Sequence, residues 1–414
     1  MVEDMTARPR GGGMRTIIGA ATLAVVSSAG AAAAQEPVAA GGRAALLEQA
    51  QSEKSTKVQP YKPDKVEAVL NKLEKTLLTG GLHWHPFFES AYAGGGFTVG
   101  AGYMRHVSAY NTIDFRGSVT PSGYKRIEAA FTAPRLFARR GTLNLLGGWR
   151  EATQVGFYGI GTANTSQDDR ANYAFDQPYG SAAFDFWPAR KLLLLRGEFE
   201  ASTWHTAPGG GARSVDELYT AETLPGLGAS PTYLHSQATI ALDSRPSPGY
   251  ARHGGFFGVT YHDFHDTGGR FGFHQTDYDA IQHVPILRET WVLSLHARAQ
   301  LAASADGQAV PYFMLPSLGG GSSLRGFTSW RFRDLNSLLL QAEWRVMANR
   351  ILDMALFYDA GRVAARRDDL TSAPLKSDYG VGFRLHGPLA TPLRIEIARG
   401  NEGMSLVFSS RAPF

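Results

Sequence analysis

Cysteine is absent from all 414 residues, and this absence excludes several classes of protein at once. Without thiols the chain can have no disulfide, no thiolate metal site and no cysteine nucleophile, and it lacks the cysteine on which lipoproteins are modified. The sequence also has no phosphate-binding P-loop, no G-x-S-x-G elbow and no H-E-x-x-H zinc motif. We therefore expect that the protein is not an enzyme and uses no cofactor and no metal.

Two further shortages concern concentrated charge and long apolar runs. The formal net charge is only +4 and the basic residues are scattered, so we expect no nucleic-acid partner. After the N-terminal segment, no stretch offers the ~20 apolar residues that a membrane helix requires. If the exported chain enters a membrane, it must do so as a closed β-barrel, because only helices and closed barrels satisfy their backbone groups in lipid.

The N-terminal segment has the order of a secretory signal peptide. Arg15 precedes an apolar run at 16–26, and small residues then lead to an A-x-A cleavage site at 32–34. We expect residues 1–34 to be the signal peptide and the mature protein to be exported.

Residues 35–85 are predicted to be a periplasmic linker followed by one amphipathic helix. Asp64 and Glu67 resemble a capping box, and Gly80 and Gly81 would end the helix, which we place at 64–79. Its apolar residues at 66, 69, 70, 73 and 77 fall on one face. Two roles remain open: a spacer packed under the next domain, or a helix that plugs or gates the barrel mouth.

From residue 86 onward the apolar period changes to two. Tyr379, Val381 and Phe383 alternate with small or charged residues, and similar alternation recurs at 291–300, 337–346 and 393–398. A soluble sandwich also alternates, but glycine or charge opposite bulky apolar groups is typical of lipid outside and a wet lumen inside. We predict an all-β fold, a transmembrane antiparallel β-barrel of about 16 strands over residues 86–414, with a short N-terminal helix.

A glycine-rich loop and a later strand suggest an internal ion pair. Strand phase places Asp359 in the lumen, together with Glu343 of the preceding strand. Arg325, on a loop folded into the barrel, would pair with both carboxylates, whereas the alternative is an ordinary solvated arginine. The loop motif comprises Gly319, Gly320, Gly321, Leu324, Gly326 and Phe327, and the strand motif comprises Phe357 and Gly361 around Asp359.

The last predicted strand alternates through Met404, Leu406 and Phe408, and the sequence closes on Phe414. A strictly alternating last strand and a C-terminal phenylalanine are typical of outer-membrane barrels, where they form the signal read by the insertion machinery. We interpret Phe408 and Phe414 as this signal. The expected partners are the barrel-insertion machinery during biogenesis and the outer-membrane lipid bilayer.

These motifs resemble the BamA/TamA (bacterial surface antigen) family of sixteen-stranded outer-membrane barrels. Leu324-Arg325-Gly326-Phe327 is similar to the family's V/L-R-G-F/Y motif at the tip of its long sixth extracellular loop. Phe357-x-Asp359-x-Gly361 is similar to its F-x-D-x-G strand motif. Segments at 157–161, 243–245 and 380–398 also resemble the family, so the resemblance covers roughly residues 86–414.

The resemblance implies a location in the bacterial outer membrane and a role in outer-membrane biogenesis or in translocation of protein or lipid. It also implies unfolded outer-membrane or secreted proteins as candidate partners. Family members that insert or secrete proteins carry periplasmic POTRA domains, whereas the segment 35–85 is too short for a complete one. We therefore expect a barrel lacking POTRA domains. A solute channel or porin is the alternative, and an outer-membrane hydrolase is a third, less favoured one.

Three other groups of residues were considered as sites. His83 and His85 could bind a metal at the periplasmic rim, although such a pair is more often interfacial. The stretch 261–266 contains two histidines and two aspartates, and we interpret it as a strand end with a polar loop. A set of lumen-facing charges would suit either a pore or a structural salt-bridge network: Arg196, Glu198, Glu200, Arg384, Arg394 and Glu396.

Overall fold

The computed structural model describes residues 68, 83–162, 166–189, 192–211 and 213–414. All of them lie within one compact unit, Pro63–Phe414. The predicted signal peptide at 1–34 and nearly all of the predicted segment 35–85 lie outside these residues. Of the helix predicted at 64–79 only Ala68 is described, and it is helical. No helix in the described part of the chain is long and apolar enough to cross a bilayer.

The described residues consist mainly of β-strands. The first nine are β1 Trp84–Pro86, β2 Val99–His106, β3 Thr112–Val119, β4 Lys125–Arg135, β5 Gly141–Phe157, β6 Ala171–Ala189, β7 Leu193–Thr203, β8 His205–Pro208 and β9 Thr232–Asp243. The others are β10 Gly254–Asp266, β11 Phe273–Leu287, β12 Trp291–Ser304, β13 Ser317–Leu318, β14 Phe332–Arg333, β15 Asn336–Met347, β16 Leu352–Ala364, β17 Lys376–Leu385, β18 Leu393–Gly400 and β19 Gly403–Ser409. Short helical turns occur at Leu136–Arg139, Gln167–Asp169, Val215–Leu218 and Arg367–Leu370.

Successive strands pair antiparallel to form one sheet of 17 strands. Because β7 and β8 both pair with β6, they are two pieces of one long barrel strand. Calling each such barrel strand a stave, the described residues contain sixteen staves. β13 and β14 form a separate hairpin. The predicted antiparallel barrel is confirmed. The registers run from β1–β2 to β18–β19, and none within the described residues joins β19 to β1 or β2. We call this interval the seam.

The faces of the staves follow the predicted alternation. On β17, Tyr379, Val381 and Phe383 are exposed on the outside, whereas Asp378 and Arg384 are buried inside. The outward face is the one that lipid would cover, because charged and small side chains are kept on the other face. Alternation along each strand therefore determines which residues can reach the lumen.

The two ends of the barrel differ in the length of their connections. At one end the turns are short, as at 107–111, 136–140, 288–290 and 348–351, whereas the other end carries long connections at 209–231 and 305–335. In outer-membrane barrels the short turns face the periplasm and the long loops face the exterior. The connection 305–335, which we call loop six, therefore starts and ends at the extracellular end of the barrel.

Two clusters of buried apolar side chains occupy the inside. The larger lies at the long-loop end and is rich in aromatic rings, including Phe157, Tyr173, Phe175, Trp204, Tyr233, Phe273, Tyr312 and Phe313. The smaller joins loop six to the wall and comprises Leu318, Leu324, Phe327, Phe332, Leu339 and Val363. The second cluster holds the loop against β15 and β16, and so positions the candidate site.

Candidate functional site

Loop six enters the lumen as the β13–β14 hairpin, whose tip carries the predicted loop motif. Gly319 and Gly320 have φ values of 116° and 94°, a left-handed region that glycine adopts without steric cost. The Gly320 N–H donates to the carbonyl oxygens of Leu324 at 3.1 Å and Phe327 at 3.0 Å. Gly319 N–H donates to the Ser323 hydroxyl at 2.8 Å. These bonds give the tip a compact shape and present Arg325 to the wall.

Arg325 is 0% exposed and contacts three carboxylates. Its Nε and Nη2 donate to Asp359 Oδ2 and Oδ1, both at 2.7 Å, in a bidentate pair. Its Nη1 donates to Glu343 Oε2 at 3.2 Å and to Glu396 Oε1 at 3.1 Å. The guanidinium also lies 3.5 Å from the centroid of the Phe357 ring. All the residues proposed for the ion pair thus meet at one place.

The electrostatics of Arg325 follow from this arrangement. Burial disfavours the charged guanidinium, but the hydrogen bonds to Asp359 and the charges of Asp359, Glu396 and Glu343 outweigh burial and raise the pKa of Arg325 above its ordinary value. The arginine is therefore always charged, and its release would leave three carboxylates without it. Removing one partner of such a buried pair costs on the order of 3–5 kcal/mol.

Two arginines on the wall extend the network. Arg384 forms an ion pair with Glu343 and donates to Glu396 Oε1 at 2.9 Å. Arg394 lies 3.4 Å from Glu396 Oε2 and donates to the Gly321 carbonyl at 2.8 Å. Half of the predicted charge ladder is therefore built into the loop-binding site. Strand alternation placed Glu396 in the lumen, but its contact with Arg325 could not be foreseen, because 71 residues separate the two.

The other half of the ladder lies on a different part of the wall. Arg196 pairs with Asp185 at 3.2 Å and with Glu198 at 2.7 Å. Glu200, on the same stave, is opposite His235 of β9. None of these three residues forms an ion pair with Arg325 in the described part of the chain, so the predicted single ladder is two separate groups.

Asp378 adds a carboxylate that sequence reasoning did not single out. It lies directly opposite Asp359 on the neighbouring strand and is buried, and neither of its carboxylate oxygens has a hydrogen-bond partner among the described residues. Three arginines and four carboxylates therefore share this region: Arg325, Arg384, Arg394, Asp359, Glu343, Glu396 and Asp378. The backbone of Gly326 lies very close to the wall beside Asp378. A Cβ added to Gly326 would lie 2.5 Å from the Asp378 Cβ and 2.6 Å from the Gly400 nitrogen.

Two adjacent residues of loop six contact both sides of the seam. Trp330 donates from Nε1 to the Ala93 carbonyl at 2.8 Å and stacks on Tyr92 at 4.4 Å, in the segment between β1 and β2. Arg331 forms a bidentate pair with Glu402, in the turn between β18 and β19, at 2.8 and 2.6 Å. We call Trp330 and Arg331 the clasp. No local pattern in the sequence pointed to it.

Residues 89–403 match the family described as the Omp85 superfamily domain. This chain belongs to the Omp85 superfamily. The resemblance to BamA/TamA-type barrels is thereby confirmed, and so is the predicted location in the bacterial outer membrane.

Solved structures share the fold of this Omp85 barrel. The chain is similar to BamA from Haemophilus ducreyi lacking POTRA domains 1–3, with a TM-score of 0.57 and 12% identity over 78% of this chain and 67% of that one. It is also similar to CdiB from Escherichia coli, with a TM-score of 0.54 and 12% identity over 78% of this chain and 61% of that one. Such identities show the fold alone. No curated protein matches the sequence.

The histidines considered as metal ligands in this Omp85 chain have other contacts. His85 Nε2 lies 2.9 Å from Asp114, whereas His83 contacts the Met104 carbonyl at 3.1 Å. At the end of β10, Asp266 accepts hydrogen bonds from the N–H groups of Gly268, Arg270 and Phe271 and so shapes a turn. In the part of the chain that the structure describes, no group of three His, Asp or Glu residues could hold a metal ion.

The two residues proposed as an insertion signal occupy different environments. Phe408 is 63% exposed on the outer face of β19. Phe414 follows the strand, and its ring lies 6.2 Å from His283 and 5.1 Å from His296, which is buried. The role of both residues in insertion stays a prediction.

Proposed function

We propose that this Omp85 barrel acts in outer-membrane biogenesis or in translocation of protein or lipid, with a lumen that is closed at rest by loop six. The observation that carries this proposal is the complete enclosure of Arg325 by Asp359, Glu343 and Glu396. A loop held in this way is either seated or released. Intermediate positions would leave buried charges unpaired, which is costly.

The seam supports the same function. A strand edge that is not paired with a neighbouring strand exposes unpaired N–H and C=O groups, which can pair with another chain. The strands on the two sides of the seam have such edges. Among the described residues they are spanned by the clasp and by an ion pair between Arg411 and Glu89 rather than by strand pairing. A barrel closed by a loop and by side chains can open without unfolding its staves.

A steady solute channel, the alternative prediction, fits the geometry less well. Loop six lies in the lumen next to β15 and β16, and a cluster of buried aromatic side chains lies at the long-loop end. A porin keeps a water-filled passage, and its loops leave that passage open. We therefore retain biogenesis or translocation, with unfolded outer-membrane or secreted proteins and the barrel-insertion machinery as proposed partners.

Reconstitution tests the proposed function. Vesicles containing this protein would be given an unfolded outer-membrane barrel, and its folding would be followed by heat-modifiable gel migration. We expect faster folding than in empty vesicles, and we expect Arg325→Ala to change that rate, whereas Arg196→Ala on the separate charge group should not. Equal rates with and without the protein would contradict the insertion proposal and leave translocation of another cargo to be tested by transport assays.

A further inference from the structure

The periplasmic rim carries a patch of arginines without acidic partners. Arg105 is the next-to-last residue of β2, on the outward face, and Arg135, Arg139 and Arg140 lie in or beside the turn that follows β4. All four are exposed, and none has a carboxylate within ion-pair distance among the described residues. No Asp or Glu occurs at 99–113 or 129–150. We call these four residues the arginine rim.

Several basic residues elsewhere in the barrel do have acidic partners. On the same periplasmic end, Arg245 contacts Asp243 at 3.0 Å, and His253 lies 3.8 Å from Glu289. Inside the barrel, Arg196, Arg325 and Arg384 are each paired with at least two carboxylates. Single arginines of other periplasmic connections, such as Arg252 and Arg288, also lack an ion pair among the described residues, whereas four such arginines lie in and beside the two turns 107–111 and 136–140.

Aromatic rings place this charge beside the lipid-facing surface. Phe137 is 69% exposed, and its ring lies 5.7 Å from Phe184 and 6.4 Å from Phe186, at the periplasmic end of β6. The Arg135 guanidinium lies 3.8 Å from the ring centroid of Tyr110 in the neighbouring turn. Aromatic rings beside basic groups are typical of the headgroup level of a membrane.

The backbone of the turn is held in a conformation that side chains usually avoid. Arg135, Phe137, Ala138 and Arg139 have φ values of 74°, 48°, 56° and 70°. This left-handed course is disfavoured for residues with a Cβ. It is fixed to the wall by a hydrogen bond of 2.8 Å from the Trp187 N–H to the Arg140 carbonyl. As a result Phe137 packs toward β6 while the flanking arginines remain exposed.

We propose that the arginine rim binds the phosphate headgroup of an anionic phospholipid in the periplasmic leaflet. The phosphodiester accepts hydrogen bonds from the paired N–H groups of an arginine guanidinium, and the acyl chains continue over the exposed ring of Phe137 and the partly exposed ring of Phe184. Charge complementarity selects an anionic lipid over a zwitterionic one, since the patch has no carboxylate to receive an ammonium group. This assignment is independent of the proposed function of the lumen.

Lipid retention measures the proposal directly. The full chain would be reconstituted with phosphatidylethanolamine and phosphatidylglycerol, extracted gently, and examined by native mass spectrometry for bound lipid. Arg139→Gln with Arg140→Gln should lower the retention of phosphatidylglycerol by about fivefold for each arginine removed, as expected for basic residues near an anionic surface. Phe137→Ser should also lower it without changing the charge. Arg366→Gln with Arg367→Gln, exposed at the opposite end, is the matched control.

Several outcomes would overturn the assignment. Unchanged phosphatidylglycerol retention in the double arginine variant, with unchanged heat-modifiable migration as evidence of folding, would exclude the site. An equal loss of phosphatidylethanolamine would show that the patch does not select charge. Release of the lipid by inorganic phosphate, but not by chloride at the same ionic strength, would identify a phosphate site instead of a lipid site.

Discussion

Asp359 and Asp378 lie opposite each other on neighbouring strands, yet the same substitution should affect them differently. Asp359→Asn removes the charge that pairs with Arg325 through two bonds of 2.7 Å, and we expect a loss of about 3 kcal/mol in the free energy of unfolding. Asp378→Asn removes a buried carboxylate that has no hydrogen-bond partner among the described residues, so stability should be unchanged or higher by about 1 kcal/mol. Urea unfolding in vesicles, followed by heat-modifiable migration, measures both variants.

The pair of variants serves as its own control, because both replace an aspartate by asparagine in the same register. If Asp378→Asn were as destabilising as Asp359→Asn, Asp378 would have to take part in the ion-pair network. Unaltered stability in Asp359→Asn would mean that Arg325 is held by Glu343 and Glu396 alone.

At the scale of elements, loop six depends on a close approach between its backbone and the wall. Gly326→Ala would place a Cβ 2.5 Å from Asp378 Cβ and 2.6 Å from the nitrogen of Gly400, and backbone cannot move aside as a flexible side chain does. We expect the loop to be displaced, with increased proteolysis within 305–335. Gly147→Ala is the control, since its Cβ would meet nothing within 4 Å. Equal protease resistance in the two variants would contradict the close approach.

The clasp makes a second prediction at this scale. Because the chain has no cysteine, spin labels can be attached uniquely at Val99→Cys and Met404→Cys, on the two sides of the seam. Trp330→Ala with Arg331→Ala should broaden the distance distribution between the labels. Labels at Val381→Cys and Ile397→Cys, which face each other in a paired hairpin, should be unaffected. A narrow seam distribution in the clasp variant would show that other contacts close the seam.

The elements also show what the sequence could and could not predict. Alternation on β15 and β16 determined that Glu343 and Asp359 face inward, because strand geometry is local and periodic. The motif around Arg325 supplied a loop that would meet them. The clasp and the contact with Glu396 were missed because they join segments far apart in the chain, such as Trp330 and Ala93, and depend on closure of the barrel. The short β1 was likewise not predictable, since three residues carry no usable period.

At the scale of the whole molecule, we propose that loop six closes the barrel in two places, along its axis and at the seam. Inside the barrel, loop six packs on β15 and β16, and the aromatic cluster lies at the long-loop end. At the seam, the clasp and the ion pair between Arg411 and Glu89 join the two sides of the wall. Because Arg325 and the clasp belong to the same loop but contact different strands, the two routes can be opened separately by substitution.

Conductance in planar bilayers tests this separation. The unmodified barrel should conduct little, and Arg325→Ala should increase conductance, because the loop loses the cation that pairs with Asp359, Glu343 and Glu396. Trp330→Ala with Arg331→Ala should leave conductance near that of the unmodified protein, since it acts on the seam. Arg196→Ala, whose partners Asp185 and Glu198 lie outside the loop-six network, is the lumen-facing control. A large steady conductance in the unmodified protein, insensitive to Arg325→Ala, would favour a porin and contradict closure by loop six.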